Sequence, residues 1–396
     1  MFYSRDIQEI IARYAKFPVV AILGPRQSGK TTLAQNTFKK HAFFSFENPN
    51  IREFASTSPV QFLAEIQNEH GVILDEFQYV PEILSYIQLE VDAKNRPGYF
   101  VLTGSQNFLM NEAITQSLAG RVGILTLLPL SIHELKAHKL LSESVDEQMF
   151  KGAYPRIYTQ DIDPNDLYAS YIQTYLERDV RQLSNVGDLR IFQKFMKLCA
   201  GRIGQLLNLS DIAMNCSISV PTASKWLSML EASYVVCVLR PHFINFNKRV
   251  VKSPKIYFYD TGLACNLLEI SSSSMLSLSP YRGNLFENFI ITDFFKQFFN
   301  IGRRPPVYFW RDQNGRIEID CMFDLGNKQI PIEIKSSENV AADYFKNINE
   351  WKAFADTQSS DAYVVYTGLM NQTRSYGHAV TWQSAGDLVD TLLKEE

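Results

Sequence analysis

The spacing of apolar side chains changes character several times along the chain. Ile7, Ile10, Ile11 and Tyr14 recur at threes and fours, which marks one face of a short helix. At Phe17 the spacing closes into the run PVVAIL, which suits a strand buried on both faces. Runs of the same kind follow in VILDEFQYV, GYFVLTGSQNF and VGILTLLPL. Continuous apolar strands alternating with helical stretches predict an α/β domain with a parallel sheet over residues 1–140.

The pattern then turns helical. Over 141–205, QMFKGAYPRI reads as a loop and turn, while NDLYASYIQTYLERDVRQL and LRIFQKFMKLCAGRI carry apolar residues at helical spacing. Over 206–270, Asn208 stands where it would cap the short helix DIAMNC; the turn SISVP and a second helix from Thr222 to Glu231 follow. Strands in YVVCVLRP and KIYFYD, joined by INFNKRVVKSP, complete a winged-helix-like pattern. On the second helix Ala223, Trp226, Leu227 and Leu230 face inward and Thr222, Ser224, Lys225 and Ser228 outward. SSSSMLSLSP at 271–280 reads as a linker. Over 281–396 an amphipathic helix, GNLFENFIITDFFKQFF, precedes the strand VYFWRD. GRIEIDCMFDLGNKQIPIEIKSS gives two alternating strands about the turn Leu325-Gly326-Asn327-Lys328, followed by a helix in KNINEWKAFA and a strand in AYVVYTG.

The bulk numbers agree with several folded domains: 396 residues, 46% hydrophobic and 20% charged. No stretch approaches the length of a membrane span, and MFYSRDIQEI carries charges where a signal core would be apolar; the expectation is a cytoplasmic protein without membrane contact. Cys199, Cys216, Cys237, Cys265 and Cys321 are widely spaced and odd in number, so they read as reduced structural residues. A net charge of −3 exerts no overall pull on a polyanion, yet residues 187–260 hold ten basic against four acidic side chains. That excess is either a nucleic-acid footprint or a set of solvated helix faces.

Chemistry enters with GPRQSGKTTLAQ, directly after the first strand. In the pattern G-x-x-x-x-G-K-[ST], Gly24, Pro25, Arg26, Gln27, Ser28 and Gly29 would curl around the phosphates of ATP, with Thr32 alongside. Lys30 would reach the β- and γ-phosphates, and Thr31 would hold Mg²⁺. Asp75, at the end of its strand, would order the same ion, while Glu76 would act as catalytic base toward water. Ser105 is the preferred sensor of the γ-phosphate, with Thr103 and Gln106 as alternatives. Arg121 would either serve as an arginine finger in trans, which needs a homo-oligomer, or form a structural salt bridge.

A second constellation lies near the C-terminus. Asp320 on one strand, Glu333 and Lys335 two apart on the next, and Glu287 on the preceding helix follow the D-x(n)-E-x-K pattern of the restriction-endonuclease-like fold. Glu287, Asp320 and Glu333 would ligate Mg²⁺ or Mn²⁺, and Lys335 would act on the attacking water. Nucleic acid is the expected partner, with DNA favoured: the outward residues of the second helix would lie in a groove and Lys248, Arg249, Lys252 and Lys255 would touch phosphates.

GPRQSGKTTL, ILDEFQ, LTGSQ and SLAGR, in that order, resemble the bacterial and archaeal AAA-type ATPases that carry a C-terminal domain of unknown function. KGAYPR, YLERDV, FYDTGLA and GNLFENFI extend the resemblance over nearly the whole chain. It implies ATP binding and an AAA-like core, and names no substrate. FENPN at 46–50 departs from it, since Glu47 alone keeps a carboxylate at a turn expected to be more acidic. Two functions fit: an Mg²⁺-dependent ATPase coupled to a domain that binds or cleaves nucleic acid, or an ATP-dependent switch or scaffold whose nuclease-like domain is silent. A simpler third is an NTPase whose C-terminal domain serves only assembly.

Overall fold

The computed structural model describes residues 2–105, 114, 117–176, 189–242, 253–326, 328–355 and 361–394. Gln106, Lys248, Arg249 and Lys252 lie outside them, as does Asn327 of the hairpin turn. The chain divides into two compact units, Met1–Leu130 with Ser228–Tyr234 and Phe299–Arg303, and Ser131–Leu227 with Val235–Phe298 and Arg304–Glu396.

In the first unit β1 (Val19–Leu23), β2 (Ala42–Ser45), β3 (Val72–Asp75), β4 (Phe100–Gly104) and β5 (Val122–Thr126) form a parallel sheet in the order β2-β3-β4-β1-β5. Successive residues of β1 pack on opposite sides. Val19, Ala21 and Leu23 join a cluster with Phe46, Phe62 and Phe77, while Val20 and Ile22 join Ile7, Ile11 and Leu33. Burial on both faces is why these strands read as unbroken apolar runs. Because the strands are parallel, their C-terminal ends share one edge, where open α/β sheets place their ligands. Register sets Asp75 beside Thr103 on one side and Ser45 on the other.

The second unit contains helices, a β-hairpin and a mixed sheet. Leu209–Asn215 is capped by Asn208, whose Oδ1 accepts from Asp211 N at 3.1 Å, and Val220–Ala232, whose residues from Ser228 on are counted with the first unit, follows after a short turn. Ala223, Trp226, Leu227 and Leu230 are buried on that helix and Ser224, Lys225 and Ser228 exposed, with Thr222 between. Trp226 packs edge-on against Phe192 and Phe195. β6 (Val236–Leu239) pairs antiparallel with β7 (Lys255–Phe258). The sheet is ordered β12-β13-β11-β10-β9-β8, from β8 (Val307–Arg311), β9 (Glu318–Asp324), β10 (Gln329–Lys335), β11 (Tyr363–Tyr366), β12 (Gln372–Arg374) and β13 (Gly377–Thr381). β9 and β10 are an antiparallel hairpin, and β10 runs parallel to β11. Phe294 and Phe298, from the long helix Arg282–Asn300, meet Phe323 of β9 edge-on.

Two sequence expectations are corrected. The serine-rich segment is not a linker throughout: Ser272 Oγ accepts from Met275 N and caps a helix, Ser273–Leu278, that buries Leu276. Likewise QMFK ends a helix, Val145–Lys151, capped by Ser144. In both places a serine hydroxyl takes up a helix's first amides, a role that the residue type shares with loops. All five cysteines are buried and free.

Asp260 joins distant parts of the second unit. Its carboxylate is buried, accepts from Leu263 N at 3.1 Å as the cap of Thr261–Leu267, and accepts from Ala153 N at 2.8 Å. Asp260→Ala removes the cap and strands two amides, so a loss of about 2–4 kcal/mol is expected. A lower urea midpoint at unchanged m-value checks it; an unshifted midpoint would show that neither bond matters.

Candidate functional site

The loop between β1 and the helix Lys30–Thr37 is shaped by backbone positions that few residues tolerate. Gln27 and Gly29 have φ of +63° and +95°. At Gly24 a Cβ would stand 2.1 Å from Leu127 O, so the position admits no side chain. Lys30 is buried and its Nζ donates to Pro25 O at 2.7 Å, which places the ammonium inside the curl of the loop. The Ser28 hydroxyl is buried in the same curl with no hydrogen-bond partner among the described residues, whereas Thr32 is exposed. Sequence reading missed Arg5. Its buried guanidinium donates to Ser28 O at 3.0 Å and to Leu128 O at 2.8 Å, strapping the loop to the chain beyond β5.

Asp75 is the acceptor at which three elements meet. Oδ1 accepts from Thr31 Oγ1 at 2.7 Å and from Thr103 Oγ1 at 2.5 Å, and Oδ2 accepts from Ser45 Oγ at 3.0 Å. Glu76 leaves the strand in a left-handed conformation, with φ 53° and ψ 44°, and its carboxylate accepts from the Gln78 amide. Burial raises the Glu76 pKa against the opposing pull of Lys30 and the Gln78 bond. Thr103, not Ser105, is the hydroxyl on Asp75; Ser105 Oγ is buried without a partner among the described residues. Arg121 forms a surface pair with Asp92 at 2.5 and 2.9 Å, the salt-bridge alternative for this residue.

In the second unit the hairpin brings Lys335 Nζ within 2.5 Å of Glu333 Oε2 and 3.2 Å of Asp320 Oδ2, and Ile334 N donates to Asp320 Oδ2 at 2.9 Å. Glu287 is held differently: Oε1 accepts from Tyr257 OH at 2.5 Å and from Lys255 Nζ at 3.1 Å. Lys255 Nζ also lies 2.6 Å from Glu318 Oε1, and Glu318 Oε2 lies 3.1 Å from Arg311 Nη1. Burial raises the Glu333 pKa well above its usual value, with the neighbouring Asp320 adding to the effect. Burial would raise Asp320 too, yet the charges of Lys335 and Lys255 hold it below the ordinary range.

This overturns one expectation. Lys255 does not face solvent where it could touch phosphates; it is 2% exposed and ion-paired. For Glu287, Asp320 and Glu333, the search of the described residues finds no group of three or more His, Cys, Asp or Glu placed to hold a metal ion. Lysine ammonium groups stand at Glu287 Oε1, Asp320 Oδ2 and Glu333 Oε2, while Glu333 Oε1 is buried without a hydrogen-bond partner among the described residues.

The tight loop around Gly24 yields a stability test. Gly24→Ala drives a methyl into the Leu127 carbonyl, so a loss of about 1–3 kcal/mol is expected. An unchanged melting midpoint would show that the segment after β5 can yield.

Comparison with known proteins places these sites in a family. Residues 16–136 match an AAA domain, residues 142–274 a domain of unknown function (DUF8612) and residues 282–384 a domain of unknown function (DUF4143). The uncharacterized protein Rv2008c of Mycobacterium tuberculosis is 30% identical over 356 residues, spanning 89% of this chain and 77% of the relative, and Mb2031c of Mycobacterium bovis matches equally. Among solved structures, the Walker-type ATPase PABY2304 of Pyrococcus abyssi overlaps with a TM-score of 0.43 at 16% identity, over 66% of this chain and 94% of its own. The RuvB Holliday junction branch migration motor of Thermotoga maritima overlaps at 0.28 and 13%, over 59% and 88%. With 30% identity across 89% of its length, this chain belongs to the same family as the mycobacterial Rv2008c protein, and its first unit carries an AAA-type P-loop ATPase domain.

Proposed function

We propose that the first unit binds ATP with Mg²⁺ and hydrolyses it, and that the second unit responds as a switch that engages nucleic acid, DNA in preference, without cutting it. The observation that carries the ATPase reading is the meeting of Thr31, Thr103 and Ser45 on the Asp75 carboxylate, directly beside the loop that encloses Lys30. The donor set fits ATP and Mg²⁺: a loop without a side chain at Gly24, a buried ammonium, a Ser28 hydroxyl without a partner among the described residues, and a hydroxyl–carboxylate pair suited to a hard cation.

In this reading Gly24, Pro25, Arg26, Gln27, Ser28 and Gly29 enclose the phosphates, with Thr32 at the rim, and Lys30 neutralises the β- and γ-phosphates. Thr31 and Asp75 hold the Mg²⁺, which supplies charge to offset the developing negative oxygens. Thr103 and Ser45 keep the Asp75 carboxylate oriented. Glu76 takes a proton from the attacking water, and Ser105 meets the γ-phosphate. Arg121 keeps its partner Asp92 and has no catalytic part.

The switch reading is preferred over a nuclease because Lys255, which lies outside the D-x(n)-E-x-K pattern, already holds Glu287. The exposed Ser224, Lys225 and Ser228 are the side chains offered to a nucleic-acid groove.

Lys30→Ala is expected to abolish ATP turnover, and Glu76→Gln to keep ATP binding while turnover falls by about a hundredfold or more. Phosphate release and nucleotide-binding titrations separate the two variants; full turnover by Glu76→Gln would remove it as the base. The pH dependence has a definite sign. A base works ionised, so the rate falls as pH drops through the Glu76 pKa, at a midpoint above the ordinary glutamate range. A profile flat down to the ordinary range would contradict this.

A further inference from the structure

Four clustered carboxylates of the second unit are matched by bases of the same chain. Glu287, Glu318, Asp320 and Glu333 are joined by ion pairs to Lys255, Lys335 and Arg311. Among these bases Lys255 is the most enclosed, with a side chain 3% exposed and its Nζ within 3.1 Å of Glu287 and 2.6 Å of Glu318, while the Phe309 ring centroid lies 5.5 Å away. A buried ammonium is tolerated only when several acceptors surround it, and here two carboxylates and an aromatic face do so.

The delivery of Lys255 is built into the fold. Lys255 opens β7 and pairs with Leu239 of β6. Two residues on, Tyr257 points its hydroxyl at the same Glu287 oxygen, as the alternation of a strand requires. The next residue, Phe258, is gripped at both backbone groups: its N donates to Asn288 Oδ1 at 2.6 Å, and its O accepts from Asn288 Nδ2 at 2.8 Å. Glu287 and Asn288, adjacent on the long helix, therefore fix both the charge and the backbone of β7. The strand cannot withdraw Lys255 without giving up these bonds.

We infer that Lys255 is the resident cation of this cluster, held by Glu287 and Glu318 beside Asp320 in the place that a divalent metal would otherwise take. A divalent ion would need six or more oxygen ligands, waters included, and Glu287 Oε1, Glu318 Oε1, Asp320 Oδ2 and Glu333 Oε2 are already engaged by ammonium groups, which leaves Glu333 Oε1 as the buried oxygen without a partner among the described residues. Entry would require the ammonium to leave, because a metal and Lys255 held together would place three positive charges against the same carboxylates. The cluster is a clasp between β7 and the sheet. The switch reading of the second unit agrees with this, but the inference rests only on the clasp geometry and its test does not use ATP turnover.

The test is Mn²⁺ titration of the nucleotide-free full chain, followed by electron paramagnetic resonance, for wild type, Asp320→Asn, Lys255→Met and the double variant. Wild type and Asp320→Asn are expected to give superimposable isotherms. Lys255→Met keeps the unbranched side chain to within one atom of its length but removes the charge, so it should gain a Mn²⁺ site at least about tenfold tighter than any in wild type, lost again when Asp320→Asn is added. Cooperative melting serves as the control for folding. A wild-type Mn²⁺ site abolished by Asp320→Asn overturns the inference, and so does a folded Lys255→Met chain with no gain. Should Lys255→Met fail to fold, the wild-type and Asp320→Asn pair decides alone: coincidence supports the resident lysine, and divergence rejects it.

Discussion

Three hydroxyl groups from three separate stretches of chain meet on the carboxylate of Asp75, and the first unit is organised around that meeting. A buried carboxylate is costly unless its oxygens are paired. Here the partners arrive only if β2 and β4 flank β3 in parallel register and the loop after β1 turns back toward it. A one-residue slip of β4 would turn the Thr103 hydroxyl to the other face of the sheet. The sheet order and the polar row along its edge are thus one constraint, met once.

Four acids clustered in the second unit are satisfied by the opposite means. Neutral hydroxyls surround Asp75 and leave its charge available, whereas Glu287, Glu318, Asp320 and Glu333 are balanced by ammonium and guanidinium groups. Acidic motifs of similar appearance in a sequence can therefore differ in whether their negative charge is offered outward or consumed internally. The neighbours decide which, and those neighbours come from other strands.

What could be read from the residues follows from this distinction. Gly24, Gly29, Lys30 and Thr31 are local: the loop needs them at fixed spacing, so the pattern is visible in eight consecutive letters. Asp75 was visible because an apolar strand ended there, and the helices at 209–215 and 220–232 because caps and apolar spacing agreed. Ser45 and Arg5 left no local mark, since Ser45 meets Asp75 across 30 positions and Arg5 reaches Leu128 across 123. Lys255 was misread for a related reason. It ends a basic stretch that looks solvated, yet it begins a strand buried at all four positions, and only the folded partner strands reveal the acids facing it. Ser272 shows the same ambiguity on a small scale, because serine serves linkers and helix caps equally well.

The bond from Lys30 to the Pro25 carbonyl bears on how selective the nucleotide loop can be. The carbonyl occupies a donor of the ammonium but is neutral, so the positive charge of Lys30 stays in place for a phosphate. An incoming phosphate gains only the difference between its own attraction and that of a peptide oxygen already in place. A single weak anion gains little from that exchange, while a triphosphate that engages the rest of the loop together with the lysine gains enough to displace the internal acceptor. The exchange of one acceptor for another therefore favours a ligand that meets the lysine and the rest of the loop together.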